Sequence, residues 1–274
     1  MLKIVINHLK KDYVNTIMRI AHISDIHCNF SSDFNEKIFN CAVKLLNDVK
    51  ADLIFISGDL TTDGLLNEYE LAKEKIKKIR GKKIFVSGNH DERNLGYKLF
   101  PEFFGEQSFI HSYKNVSFVG LSSSEPDKDE GHLGRERHKL IEDGVSLNKP
   151  FTIVGFHHHL IPVPNSGREK NIIEDAGETL DIILKNEIPL VLMGHRHVPY
   201  GVKIHNTLLV NAGTFSCNRT RAHFGNTFNI LDINKNSIIV TVVDILKKKM
   251  EKKIHFNLID GYYVNKYYNV NEKI

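Results

Sequence analysis

Three short apolar runs, residues 20–25 (IAHISD), 52–57 (DLIFIS) and 83–87 (KIFVS), recur at intervals of about thirty residues, and each ends in polar residues. The stretches between them have helical periodicity. Asp33 and Glu36 have the spacing of a capping box, and Phe34, Ile38, Cys41, Leu45 and Val49 then share one face. Asn67 and Glu70 repeat that spacing beside an inward set of Tyr69, Ala72, Ile76 and Ile79, with Gly81 as the stop. Strand-helix units in series require right-handed crossovers and therefore a parallel sheet. Such sheets bind ligands at the carboxyl ends of their strands.

Beyond residue 105 the pattern becomes strand-rich: residues 108–121, 151–156, 190–193, 207–210, 227–232 and 237–244, with at least one helix near 176–185. No Pro/Gly/Ser-rich linker and no internal repeat divides the chain, so one α/β domain with two sheets is expected. Residues 1–18 read as an N-terminal extension or an over-long start, 19–244 as the domain, and 245–274 as a C-terminal extension whose tyrosines suggest packing.

Composition removes several alternatives. With 274 residues, 41% hydrophobic and 26% charged, the chain has enough material for a core and is neither fibrous nor disordered. Cys28, Cys41 and Cys217 form an odd set without C-x-x-C spacing, which argues against a disulfide framework and for a reducing compartment. The net charge of +4 is concentrated in residues 246–253, read as a solvated face, and does not imply a nucleic-acid partner. No run approaches the roughly 18 apolar residues of a membrane span, and residues 1–7 are too short for a signal peptide. The cytoplasm is the expected location, with no membrane partner.

Fifteen histidines exceed what a core needs. Asp25 and His27, at i and i+2, reach the same side of an extended segment. Asp59 and Asn89 close the next two strands, and parallel pairing brings these ends together. His157, His158 and His159 follow one later strand; His195 and His197 follow another. A neutral asparagine oxygen beside two carboxylates adds a donor without adding repulsion. Mixed imidazole and carboxylate donors favour manganese, iron, zinc, cobalt or nickel over magnesium or calcium. About seven donors exceed one tetrahedral ion and match two ions sharing a carboxylate, an arrangement suited to phosphoryl displacement.

In this order, Asp25-x-His27, Gly58-Asp59, Gly88-Asn89-His90-Asp91, His157 and Gly194-His195-x-His197 resemble the signature of the calcineurin-like metallophosphoesterases, over about residues 19–213. The resemblance implies a four-layer α/β/β/α sandwich of two mixed sheets flanked by helices. It implies two divalent or trivalent transition-metal ions (Mn, Fe or Zn), with Asp25, His27 and His197 at the first, Asn89, His157 and His195 at the second, and Asp59 bridging. His90 would protonate the leaving oxygen and Asp91 would hold its imidazole; Asn89, His90 and Arg93 would meet substrate. The triple histidine leaves His157 and His158 as alternatives, His157 first and His159 as a loop residue. Protein phosphatases of the superfamily carry Asp-Arg-Gly shortly after Gly-Asp and Glu in place of Asp91; Gly58-Asp59-Leu60-Thr61-Thr62-Asp63-Gly64, Gly88-Asn89-His90-Asp91 and Asn211-Ala212-Gly213-Thr214 are instead similar to the class III cyclic-nucleotide phosphodiesterase branch.

What this implies is a cytoplasmic phosphodiesterase hydrolysing small phosphoesters, cyclic nucleotides among them, with metal-activated hydroxide. Phosphomonoesterase, nucleotide pyrophosphatase and DNA-processing nuclease are the alternative enzymes; a non-catalytic metal-binding scaffold is the alternative of another class. Arg93, Arg168, Arg196, Arg219 and Arg221 are further candidates for phosphate oxygens, with a solvent-facing place as the alternative for Arg196.

Overall fold

The structure, a computed structural model, describes residues 16–167, 172–259 and 263–267. The three apolar runs form β1 (Thr16–Ile23), β2 (Leu53–Ser57) and β3 (Lys83–Val86), parallel neighbours in that order. Helices α1 (Glu36–Val49) and α2 (Leu66–Ile76) make the crossovers, and α3 (Gly96–Phe104) follows β3. On the other side of β1, the strands β10 (Thr227–Asn234), β11 (Ser237–Asp244), β12 (Lys249–Asn257) and β13 (Tyr263–Tyr267) run as an antiparallel meander. The sheet order is β13-β12-β11-β10-β1-β2-β3. Of the residues set apart as terminal extensions, 16–18, 249–257 and 263–267 thus belong to this sheet, whereas 1–15 lie outside the described residues.

The second sheet contains β4 (Phe109–Tyr113), β5 (Val116–Gly120), β6 (Phe151–Gly155), β7 (Leu190–Met193), β8 (Tyr200–Ile204) and β9 (Thr207–Asn211), in the order β4-β5-β6-β7-β9-β8. Its four inner strands are parallel and its two edges antiparallel. Helices α4 (Gly134–Ser146) and α5 (Ala176–Lys185) cover its outer face.

Side chains alternate along each strand. In β1 and β2, Met18, Ile20, Leu53 and Phe55 enter the core between the sheets, while Ala21, Ile23, Ile54 and Ile56 meet the helices. In and just after β6, Phe151 and Ile153 face the first sheet and Val154 and Phe156 face the second helical layer. Strands covered on both faces must be apolar throughout, which is why these runs were so plain in the sequence. The fold is the expected α/β sandwich of two mixed sheets flanked by helices.

The helix starts differ from expectation. Asn35, not Asp33, caps α1: its Oδ1 accepts the Ile38 N–H at 3.0 Å. The buried face is Phe39, Ala42, Val43, Leu45, Leu46 and Val49, so Ile38 and Cys41 fall at its edge. At α2 no side chain caps the first turn, and Asn67 Oδ1 reaches only the adjacent Glu68 N–H. Glu68 turns back to accept from the Thr62 and Asp63 N–H groups at 3.2 and 2.7 Å, tying the helix to the loop after β2. Residues 108–121 form two strands, because Lys114 turns the chain with φ of 52°.

Between β1 and β10, paired in register, Arg19 makes a buried bidentate ion pair with Asp232, Nε to Oδ1 2.6 Å and Nη2 to Oδ2 2.9 Å. Removing the cation alone strands a buried carboxylate. Arg19→Met is therefore expected to cost about 3–5 kcal/mol in urea denaturation, and Arg19→Met with Asp232→Leu to recover most of it. A double variant no more stable than the single one would refute this account of the pair.

Candidate metal centre

Each candidate donor leaves the sheet through a turn directly after a strand. Asp25, His27, Asp59, His195 and His197 all have positive φ, 54–71°, although none is glycine. A β-carbon is disfavoured in this region, and such residues gather where surrounding structure over-determines them. Here neighbouring turns hold one another: the Asp25 N–H donates to the Gly58 carbonyl at 3.1 Å, and the His27 N–H to the Asp59 carbonyl at 2.9 Å. Gly58, with φ of 86°, sits so close to the next turn that an added β-carbon would lie 2.6 Å from Gly88 N and from His157 Nδ1.

The turns bring all seven expected donors together in two groups. In the first, His27 Nε2 lies 3.1 Å from His197 Nε2, and Asp25 Oδ1 lies 3.1 Å from the same His197 atom. In the second, Asn89 Oδ1 lies 3.1 Å from His157 Nε2 and 3.0 Å from His195 Nδ1. Asp59 Oδ2 stands between them, 3.5 Å from His27 Nε2 and 3.3 Å from His157 Nε2. Each group draws on both sheets: Asp25, His27, Asp59 and Asn89 follow β1–β3, while His157, His195 and His197 follow β6 and β7.

The donor chemistry fits cations. His157 Nδ1 donates to the Ser57 carbonyl at 2.6 Å and His197 Nδ1 to the Arg219 carbonyl at 2.5 Å, so each turns its Nε2 inward. Asn89 gives its amide N–H to Asp129 Oδ1 at 3.0 Å, which leaves its carbonyl oxygen facing the cluster. Asp25 Oδ1 is buried without a hydrogen-bond donor. Lone pairs converging in a dry site need positive charge between them. Burial lowers His27 well below the usual imidazole value against the pull of Asp59, and burial with His158 and His157 nearby lowers His195 likewise. Neutral rings are ligand-competent rings. Burial also opposes charge on His157, but the Asp59 carboxylate prevails and lifts it to about 9.

The remaining sequence candidates separate. His158 is buried with Nδ1 2.9 Å from Ser123 Oγ and Nε2 3.2 Å from the Asp129 carbonyl, so of the alternatives only His157 joins the cluster. His159, expected in a loop, is buried and stacks on His195 at 5.6 Å. His90 packs edge-on against His27, its N–H donating to Asp59 Oδ1 at 3.0 Å. The expected contact between Asp91 and the His90 ring is not made. Asp91 Oδ1 accepts from Thr61 N–H and Oγ1, both at 2.9 Å, and Oδ2 accepts from Gly88 N–H at 3.0 Å. The Thr62 carbonyl takes the ring instead, 2.6 Å from His90 Nδ1. Asp91 thus holds the turn that holds His90, and burial with the charge of Asp59 beside it raises Asp91 to about 7.

Arg196, a phosphate candidate whose alternative was to face solvent, is buried against Ser166, and with Arg93, Arg219 and Arg221 it lines the same cavity as Asp59, Asn89, His90, His195 and His197, about 220 Å³ in volume. Arg168 lies outside the described residues. Sequence reasoning missed Asp129, which binds Asn89 and Arg93 Nη2 (2.8 Å) from an acidic loop with no distinguishing pattern. It also missed Cys217, whose Sγ lies within 4.8 Å of nitrogens of His27 and His197.

Comparison with known proteins bears on the family and the fold. The family model described as calcineurin-like phosphoesterase matches residues 18–199. A probable cyclic nucleotide phosphodiesterase of Coxiella burnetii is 28% identical over 71% of this chain and 82% of its own. A probable glycerophosphodiester phosphodiesterase of Arcobacter nitrofigilis is 28% identical over 66% of this chain and 72% of its own. Among solved structures, purple acid phosphatase PPD1 of yellow lupin aligns with a TM-score of 0.68 at 15% identity, covering 88% of this chain and 53% of the lupin chain, and so shares the fold.

The close approach at Gly58 generates a test. Gly58→Ala is expected to lower both the melting temperature and the manganese retained per chain, read by calorimetry and elemental analysis. Unchanged metal content would show that the turn tolerates the methyl group.

Proposed function

The chain belongs to the calcineurin-like phosphoesterase family, and as the phosphoric ester hydrolase this makes it, we propose that it is a dinuclear-metal phosphodiesterase of small phosphoesters. The position of Asp59 Oδ2 between two groups of inward-facing donors carries the reading. Asp25, His27 and His197 would hold one ion, Asn89, His157 and His195 the other, and Asp59 both. The mix of imidazole, carboxylate and amide donors suits manganese, iron or zinc. Bound ions supply a nucleophile active at neutral pH and neutralise charge on the transferring phosphoryl group.

The chain's own groups do the rest. His90, fixed through Nδ1 by the Thr62 carbonyl, presents Nε2 as the proton donor to the leaving oxygen. Arg93, itself held by Asp129, lies on the cavity wall to receive phosphate oxygens. Relatives named for cyclic nucleotides and for glycerophosphodiesters share the phosphodiester as their common chemistry, and cyclic nucleotides are the first substrates to try. No helix among the described residues is long and apolar enough to cross a membrane, and three free cysteines suit the reducing cytoplasm as location.

Two outcomes test the reading. Wild-type protein is expected to bind two transition-metal ions and hydrolyse bis-(p-nitrophenyl) phosphate, and Asp59→Ala to lose metal together with about a thousandfold or more of activity; full turnover after chelation would refute it. His90→Ala is expected to keep its metals while slowing poor-leaving-group esters by about 10²–10⁴-fold. With p-nitrophenol as leaving group the loss is much smaller. Equal losses on both substrates would assign His90 to phosphoryl charge or positioning instead.

A further inference from the structure

The cavity above the metal centre carries four guanidinium groups, those of Arg93, Arg196, Arg219 and Arg221, against two carboxylates, Asp59 and Asp129. Their surroundings differ. Arg93 is matched by Asp129 at 2.8 Å and Asp63 at 3.6 Å. Arg196 is buried, with Nε 3.2 Å from Ser166 Oγ and Nη2 2.8 Å from its carbonyl. Arg219 Nη2 lies 3.2 Å from His27 Nδ1 and 3.6 Å from Asp33. Arg221 donates from Nη1 to the Ser166 carbonyl at 2.9 Å, and no carboxylate partners it among the described residues.

The loop that carries Arg219 and Arg221 is fastened along its length. The Arg219 carbonyl accepts from His197 Nδ1, and the Arg219 N–H donates to Cys217 Sγ at 3.4 Å. Asn218 N–H donates to the Asp33 carbonyl at 2.8 Å, and Phe224 N–H to the Arg221 carbonyl at 3.3 Å. Two arginines, two residues apart, are thus presented at the cavity from a loop bonded to a candidate metal ligand. Among the described residues the lining contains no aromatic ring other than imidazole. Such a wall favours negatively charged groups.

One phosphodiester brings a single negative charge, which the centre and Arg93 already address. Arginine forks are suited to a second phosphate, whose oxygens they bind with two parallel N–H groups. Resting on the phosphodiesterase reading, we propose that Arg221, with Arg219 beside it, forms a specificity-determining subsite for a second, non-reacting phosphate. The preferred substrates are then phosphodiesters that carry another phosphate group.

The test holds the chemistry fixed. Manganese-supplied protein is assayed on thymidine 5′-(p-nitrophenyl phosphate) and on the same ester bearing a 3′-phosphate, so that bond and leaving group are identical. The 3′-phosphorylated ester is expected to have a kcat/KM at least about tenfold higher, through KM, as one charge-assisted contact supplies. Arg221→Gln should bring the ratio near one, and Arg221→Lys should keep more of it. A wild-type ratio near one, or an unchanged ratio in Arg221→Gln, overturns the proposal. Calorimetric binding of thymidine 3′,5′-bisphosphate against thymidine 5′-monophosphate reads the subsite without turnover, with the same expected preference and the same loss in Arg221→Gln. Hydrolysis of neither ester with that preference intact refutes the phosphodiesterase reading but supports the subsite. Hydrolysis of both at equal efficiency without a binding preference upholds the enzyme and refutes the subsite.

Discussion

A single buried carboxylate organises the strand-end face. Asp59 places Oδ2 between imidazoles of the two donor groups and gives Oδ1 to the His90 backbone N–H. In a dry environment an ionised carboxylate is costly unless positive charge and hydrogen bonds answer it. The surrounding groups respond to that field: it lifts His157 to about 9 against burial, and it adds to burial, the larger cause, in raising Asp91 to about 7. The turn geometry serves the same atom, because Gly58 has no side chain to push His157 away from it. A site of this kind is poised for cations before any cation arrives.

Much of this was readable in the sequence for identifiable reasons. Strands buried on both faces had to be continuous apolar runs, and donors had to follow them at once, because only strand ends in a parallel sheet lie side by side. All seven expected donors accordingly converge. The capping boxes misled because spacing alone does not reveal where the chain turns: Asp33 faces Arg219 while Asn35 caps α1, and Glu68 serves the loop after β2. Helices α3 and α4 escaped for opposite reasons. The first is short, aromatic-rich and contains Pro101; the second is polar, with only His138, Ile141 and Gly144 buried.

The contacts beyond the donors were not legible, since they belong to backbone atoms. The groups orienting His90, His157 and His197 are the carbonyls of Thr62, Ser57 and Arg219, which carry no residue-type signature. Asp91 illustrates the point. Its position suggested a partner for the neighbouring imidazole, yet its oxygens go to Thr61 and Gly88 and act on His90 through one further residue. Motif adjacency put the two residues side by side and named the wrong contact.

Because each donor group draws its residues from both sheets, an ion seated in either one would be a rivet through the sandwich. It joins chain segments as distant as Asp25 and His197, and the donors come together only when both sheets have docked. Binding energy at such a site is folding energy. Occupation of either group is therefore expected to hold the sheets together at this end, and loss of its ion to weaken their docking.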